Sequence, residues 1–294
     1  MKNTINSLEE LNTNSIAKVV ENKQIKLTIE AFGKPSHPAI LLIAGATSSM
    51  LYWDEFFCRK LSAKGFFVIR YDNRDTGEST TFEPDTINYT IVDMADDAKS
   101  ILDSYKITKA HIMGISLGGL IAQIFALKYP ENVNSLILMS TGYWGEISSD
   151  IPAMDDAIIK IHEEKSKIDW NDETQVLTYL LKISDLMLGS KPLNMEREQF
   201  RIKQEFRRAN NYQSMFNHSL IQGGEDFFNR IDEINVPCLI IHGTKDKIWH
   251  YKNAEFLHSN LRNSKLLELL GTGHELNPID WNEIVNSIDN FIQI

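Results

Sequence analysis

Cysteine is nearly missing from this sequence: Cys58 and Cys238, set far apart, are the only two in 294 residues. Such a pair makes neither a disulfide framework nor a cysteine-based metal cluster, and a reduced setting is the simplest reading. Basic charge is in deficit, with 30 Lys and Arg against 40 Asp and Glu, a net charge of −10. Neutralising phosphates requires basic patches, so neither nucleic acid nor an anionic membrane is an expected partner. No apolar run reaches the roughly 20 residues that span a bilayer. Residues 1–10 are polar and lack the apolar centre of a signal peptide. A cytoplasmic protein is therefore expected. Internal repeats and low-complexity segments are absent as well.

What remains is an ordinary globular composition, 43% hydrophobic and 24% charged, long enough for one large core or a domain with an insertion. Residues 1–16 read as a loose polar arm. Residues 17–20 and 24–32 alternate apolar and polar, as in a half-exposed antiparallel hairpin. The continuous apolar runs 39–44, 66–71, 110–113 and 135–139 suit strands buried on both faces. Residues 53–64, 91–105 and 117–129 have helical character between them. From 142 to 231 no strand-like run occurs, only helical stretches at 154–166, 174–188 and 196–209 and a looser one at 212–221. Strands return at 237–242 and 265–270, with helices at 254–261 and 281–294.

This alternation predicts an α/β fold, a mostly parallel twisted sheet with helices on both faces. The expected division is a core of residues 1–141 and 232–294 with an inserted helical cap, or lid, of residues 142–231. The cap would cover the C-terminal strand ends, where such sheets bind ligands. Residues 196–208 mix both charge signs at helical spacing and read as a solvated helix face.

The chemistry centres on Gly114-Ile-Ser116-Leu-Gly118, which joins a strand to a long apolar helix. A plain turn with a helix-capping serine could share this pattern. Its setting instead suits a nucleophile elbow, in which strain lifts the serine to the strand tip and side chains at Gly114 or Gly118 would collide. A serine hydroxyl needs a base, and the base an orienting acid, expected in the order Ser, Asp or Glu, His. The strand ending at His242 runs into Asp246, and the next runs into Gly271-Thr-Gly273-His274. Ser116, Asp246 and His274 are the expected catalytic residues, with Asp232, Asp280 and Glu275 as rival acids. His242 reads as the end of a core strand, and His111 precedes the elbow strand with no assigned role. An oxyanion needs two backbone N–H donors, expected from Leu117 and from Ala46, with Gly45 allowing close approach.

These motifs together resemble the α/β-hydrolase family over nearly the whole chain. They are Ala44-Gly45-Ala46 with Trp53, Tyr71-Asp72-Asn-Arg74-Asp75-Thr-Gly77-Glu-Ser79, the elbow through Gly119, His242-Gly-Thr-Lys-Asp246 and Gly273-His274. The resemblance implies a serine hydrolase with a helical cap and no cofactor or metal. Two positions depart from the family pattern: Ala44 replaces the usual histidine, and Asp75 replaces a glycine. The 70–80 loop is similar to that of the branch containing the aclacinomycin methyl esterases, which implies a small-molecule ester as substrate. The Asp72/Arg74 loop reads as a buried structural network beside the elbow. Tyr143, Trp144, Met154, Tyr179, Met187, Tyr212, Met215 and Phe216 are expected to form an apolar pocket wall. Ester hydrolysis through an acyl-enzyme is the leading expectation. Carbon–carbon hydrolysis and perhydrolysis use the same triad, and a non-catalytic receptor is the rival of another class.

Overall fold

A computed structural model describes residues 15–146 and 148–293. The arm expected over residues 1–16 lies outside the described residues except for its last two positions. Eight strands form one sheet: β1 (Ile16–Asn22), β2 (Ile25–Phe32), β3 (Ala39–Ile43), β4 (Phe67–Tyr71), β5 (Ala110–Ile115), β6 (Val133–Met139), β7 (Cys238–Gly243) and β8 (Ser264–Leu269). Their order is β1-β2-β4-β3-β5-β6-β7-β8. β1 and β2 form the antiparallel hairpin, β2 runs antiparallel to β4, and every later pairing is parallel.

Strand side chains alternate between faces, and the apolar runs are apolar at both parities, so each face acquires its own core. On one, Leu41, Ile69, Ile112, Leu136 and Ile240 pack under α2 (Ile91–Ser104), α3 (Leu117–Lys128) and α7 (Lys252–Asn260). On the other, Leu42, Val68, Met113, Ile137 and Ile241 pack under α1 (Glu55–Ala63) and α8 (Trp281–Ile292). α1 starts two residues later than the apolar spacing suggests, because Asp54 accepts from the Phe56 N–H at 2.8 Å and caps the helix there. Thr90 and Asp93 form a reciprocal capping box on α2.

After β3 the chain moves to one side to form β4, then crosses to the other side of β3 to form β5. Such a reversal opens a crevice beyond the C-terminal ends of the two diverging strands. The segment after β3 begins with Ala44-Gly45-Ala46, and the residue after β5 is Ser116. Topology thus puts the glycine loop and the serine side by side.

Between β6 and β7 the described residues form helices and turns without a strand: α4 (Asp156–Glu163), α5 (Glu173–Met187), α6 (Met195–Arg208) and a 3₁₀ helix, Tyr212–Leu220. Trp170, Val176, Tyr179, Ile183, Met215 and Phe216 form a separate small core within it. Its rings interlock, with Trp170 and Phe216 centroids 4.8 Å apart. The looser helix expected near 212–221 is 3₁₀ in form.

Candidate active site

Ser116 has φ 53° and ψ −123°, a region a non-glycine residue adopts only at a cost of about 1–3 kcal/mol. Its surroundings enforce it. Ser116 N–H donates to Met139 O at 3.0 Å, and Ser116 O accepts from Thr141 Oγ1 at 2.7 Å and from Gly119 N–H at 2.9 Å. The turn also has no room for side chains. A Cβ on Gly114 would stand 2.0 Å from Gly118 O, and one on Gly118 would stand 2.2 Å from Ile43 O. On Gly45 it would meet Ser116 Cβ at 3.2 Å, which shows how closely the loop after β3 approaches the serine.

Asp246 follows β7 and His274 follows β8. His274 Nδ1 and Asp246 Oδ2 are 2.8 Å apart, and both residues are buried. The second carboxylate oxygen accepts from the Ile248 and Trp249 N–H groups at 2.8 and 2.9 Å. Burial pushes the Asp246 carboxyl upward, but the neighbouring His274 and these hydrogen bonds outweigh it and hold the group below its usual value. An ionised Asp246 can only accept, so Nδ1 of His274 is the donor in this contact and Nε2 is turned away from it. The rival acids are engaged elsewhere. Asp280 binds Thr272 Oγ1 and Lys191, Glu275 accepts from Gly273 N–H at 2.8 Å, and Asp232 is exposed.

Ser116 is half-buried, and among the described residues its hydroxyl makes no hydrogen bond, to His274 or to any other group. Such contacts are commonly loose without substrate and close in the complex. Ala46 is exposed and Leu117 half-buried. Among the described residues neither backbone N–H has a hydrogen-bond acceptor. A profile of the alpha/beta hydrolase fold matches residues 38–279. The chain belongs to the α/β-hydrolase family.

Over 125 residues the chain is 38% identical to rhodomycin D methylesterase of Streptomyces sp. (strain C5), a match spanning 42% of this chain and 42% of that relative. A 2-hydroxy-6-oxononadienedioate/2-hydroxy-6-oxononatrienedioate hydrolase of Paraburkholderia phymatum is 30% identical over 199 residues, 59% of this chain and 66% of the relative. The matched stretches therefore cover less than two thirds of either relative. In fold, the chain is similar to 2-hydroxy-6-oxo-6-phenylhexa-2,4-dienoate hydrolase from Rhodococcus sp. strain RHA1. The TM-score is 0.77 at 19% identity, covering 96% of this chain and 99% of that one.

In this α/β-hydrolase the other histidines of the sheet are structural. His242 Nε2 donates to Trp249 O at 2.6 Å and lies 3.5 Å from Asp246. His111 is inside β5, where its Nδ1 is 2.7 Å from Ser135 Oγ. The 70–80 loop is buried and paired. Arg74 holds Asp97 with its Nη2 2.8 Å from Oδ1, and Asp75 accepts from Tyr89 Oη at 2.6 Å.

Two expectations need correction. The apolar wall expected from the inserted segment divides, because three of its eight members bury one another and three more point elsewhere. Tyr179, Met215 and Phe216 lie in the segment's own core, Tyr143 and Trp144 pack against the sheet-side core, and Met154 is exposed. Of the set, Met187 and Tyr212 line a cavity of about 150 Å³ between α5, α6 and the loops after β3 and β8. Leu180, Ile183, Leu276 and Trp281 line it with them. Its lining includes Thr47 and Ser48, next to Ala46, and Glu275, next to His274, but neither Ser116 nor His274.

Nor is α6 a purely solvated helix. Glu198, Arg201, Glu205 and Arg208 share one face that turns inward. Arg201 bridges Glu198 at 2.6 Å and Glu205 at 2.7 Å, Glu205 accepts from Ser49 Oγ at 2.8 Å, and Arg208 reaches Asp72 at 2.8 Å. Burial is tolerated because each charge finds an opposite charge or a donor. Their recurrence every three or four residues was the available signal. His218, buried beside the loop after β3, had no such signal. Among the described residues, no group of three or more His, Cys, Asp or Glu side chains could hold a metal ion, and no helix is long and apolar enough to cross a membrane.

Proposed function

We propose that this protein is a serine hydrolase that cleaves a carboxylic ester of a small, largely apolar molecule through an acyl-enzyme. The observation that carries the reading is the His274–Asp246 pair at 2.8 Å, formed by the two loops that follow β7 and β8 in the sheet that also ends in the strained Ser116. In the proposed reaction Ser116 Oγ attacks the ester carbonyl as His274 Nε2 takes its proton, and Asp246 steadies the imidazolium. The N–H groups of Ala46 and Leu117 stabilise the oxyanion. The alcohol leaves with the proton from His274. Water, deprotonated by the same nitrogen, then attacks the acyl carbonyl, releasing the acid and restoring Ser116. Residues 142–231 act as a cap, and the cavity beneath α5 and α6 receives part of the substrate. Identity to a methylesterase over 42% of the chain supports an ester as substrate.

Ser116→Ala is expected to lower turnover of nitrophenyl esters by about 10⁴-fold or more, and a fluorophosphonate probe should label the wild-type serine. Near-normal turnover in the variant, or folded wild-type protein that resists labelling, would remove the assignment. The latter result would favour a non-catalytic receptor. The relative from Paraburkholderia phymatum supports a second reading, in which the same side chains hydrolyse a carbon–carbon bond next to a ketone. Product analysis on a panel of esters and diketones separates the two.

A further inference from the structure

Thr47 follows the proposed oxyanion donor Ala46 and has φ +60°, a region in which a β-branched residue is an outlier. Contacts around it must hold it there. The peptide joining residues 46 and 47 is tied at both polar ends. Its carbonyl, Ala46 O, accepts from Thr47 Oγ1 at 2.6 Å and from Ser48 Oγ at 3.3 Å. Its N–H donates to Nδ1 of His218 at 3.1 Å. Peptide units are rigid planes joined only through φ and ψ. Clamping this one therefore restricts the adjoining unit, which carries the Ala46 N–H. Ala44, on the other side of Gly45, has no polar side-chain atom with which to brace the loop.

His218 lies on the 3₁₀ helix that follows α6 and is 5% exposed. Nδ1 faces an N–H and must accept, whereas Nε2 faces Arg74 O at 2.7 Å and must donate. The two contacts select a single neutral tautomer. Glu205 grips the same loop two residues further on, through Ser49. The inserted segment thus reaches across more than 150 residues of sequence to hold the loop beside Ser116.

We propose that His218 is a positioning residue, whose imidazole holds the Thr47 N–H and so aims the Ala46 N–H at the oxyanion. This rests on the ester-hydrolase reading, and its effect belongs to the transition state, where the oxyanion exists. The substrate carbonyl carries little of that charge, so kcat should fall while KM stays in place.

The test separates the two ring nitrogens. His218→Asn keeps an acceptor where Nδ1 stands. His218→Gln places its polar end where Nε2 stands and leaves Thr47 without an acceptor. With a nitrophenyl ester, His218→Gln should lose about 10- to 100-fold in kcat with little change in KM, whereas His218→Asn recovers most of that loss. Equal kcat values in Gln variant and wild type, or a change confined to KM, would overturn the proposal.

Should either variant fail to fold, imidazole ¹⁵N–¹H spectra of the wild-type protein at pH 7 decide the contact. The neutral Nε2–H tautomer is expected, and an Nδ1–H tautomer or a cation refutes it. Wild-type protein that neither turns over the ester nor labels at Ser116 defeats the hydrolase reading, with the spectra still judging the His218 contact. An active wild type with an unaffected Gln variant defeats this proposal alone.

Discussion

Arg208 on α6 pairs with the fully buried Asp72 at 2.8 Å, and Asp72 in turn accepts the Met50 N–H at 2.9 Å. One carboxylate therefore joins the inserted segment to the loop that runs from β3 to α1. Removing one partner from a buried pair leaves a charge without compensation. Arg208→Ala should lower unfolding stability by about 3 kcal/mol. Breaking the exposed Arg230–Glu233 pair with Arg230→Ala should leave stability almost unchanged, because water already screens both charges. Urea unfolding of the two variants side by side checks this, and equal losses would show that the Asp72 pair is not buried in solution.

The elbow glycines and the loop glycine should fail in different ways. Gly114→Ala drives a Cβ into Gly118 O, a backbone atom of the same tight turn. The turn must open, at a cost of about 3 kcal/mol or more. Gly45→Ala meets Ser116 Cβ at 3.2 Å, which a shift of a few tenths of an ångström relieves. Its melting temperature should stay near the wild-type value while kcat falls about tenfold as the serine and the loop move apart. A Gly114→Ala variant that is stable and fully active would contradict the packing of the elbow.

Stability should decline with acid before carboxylates titrate. Burial pushes the His111 imidazole down from 6.5 to about 4, so the folded state holds it neutral while the unfolded chain protonates it near 6.5. Between those values the unfolded state binds more protons, and stability falls as pH falls. At about 1.4 kcal/mol per unit, His111 alone accounts for about 3 kcal/mol between pH 6.5 and 4. Its contribution to the slope fades out by about pH 8. Burial lowers His218 and His242 as well, which adds to the same trend. Urea titrations from pH 8 to 4 should show a flatter acid limb for His111→Leu than for wild type. Identical limbs would remove His111 as the cause.

Local chemistry in the sequence settled much of this protein. Runs such as 39–44 and 237–242, mostly apolar and too short for buried helices, read as interior strands, and β3 and β7 form there. Gly114-Ile-Ser116-Leu-Gly118 at a strand–helix junction suited the strained turn that Ser116 adopts. The order Ser116, Asp246, His274 follows from where strands end.

Tertiary structure decided the rest, because partners distant in sequence leave no local trace. The charges of α6 read as solvated until Asp72, 136 positions away, supplied a buried counter-charge for Arg208. Tyr179, Met215 and Phe216 have the composition of a binding wall, yet they satisfy one another, since apolar side chains pack against whatever apolar surface the fold brings nearest. His218 became meaningful only when folding set its ring between the Thr47 N–H and the Arg74 carbonyl, a contact that depends on orientation and not on residue type.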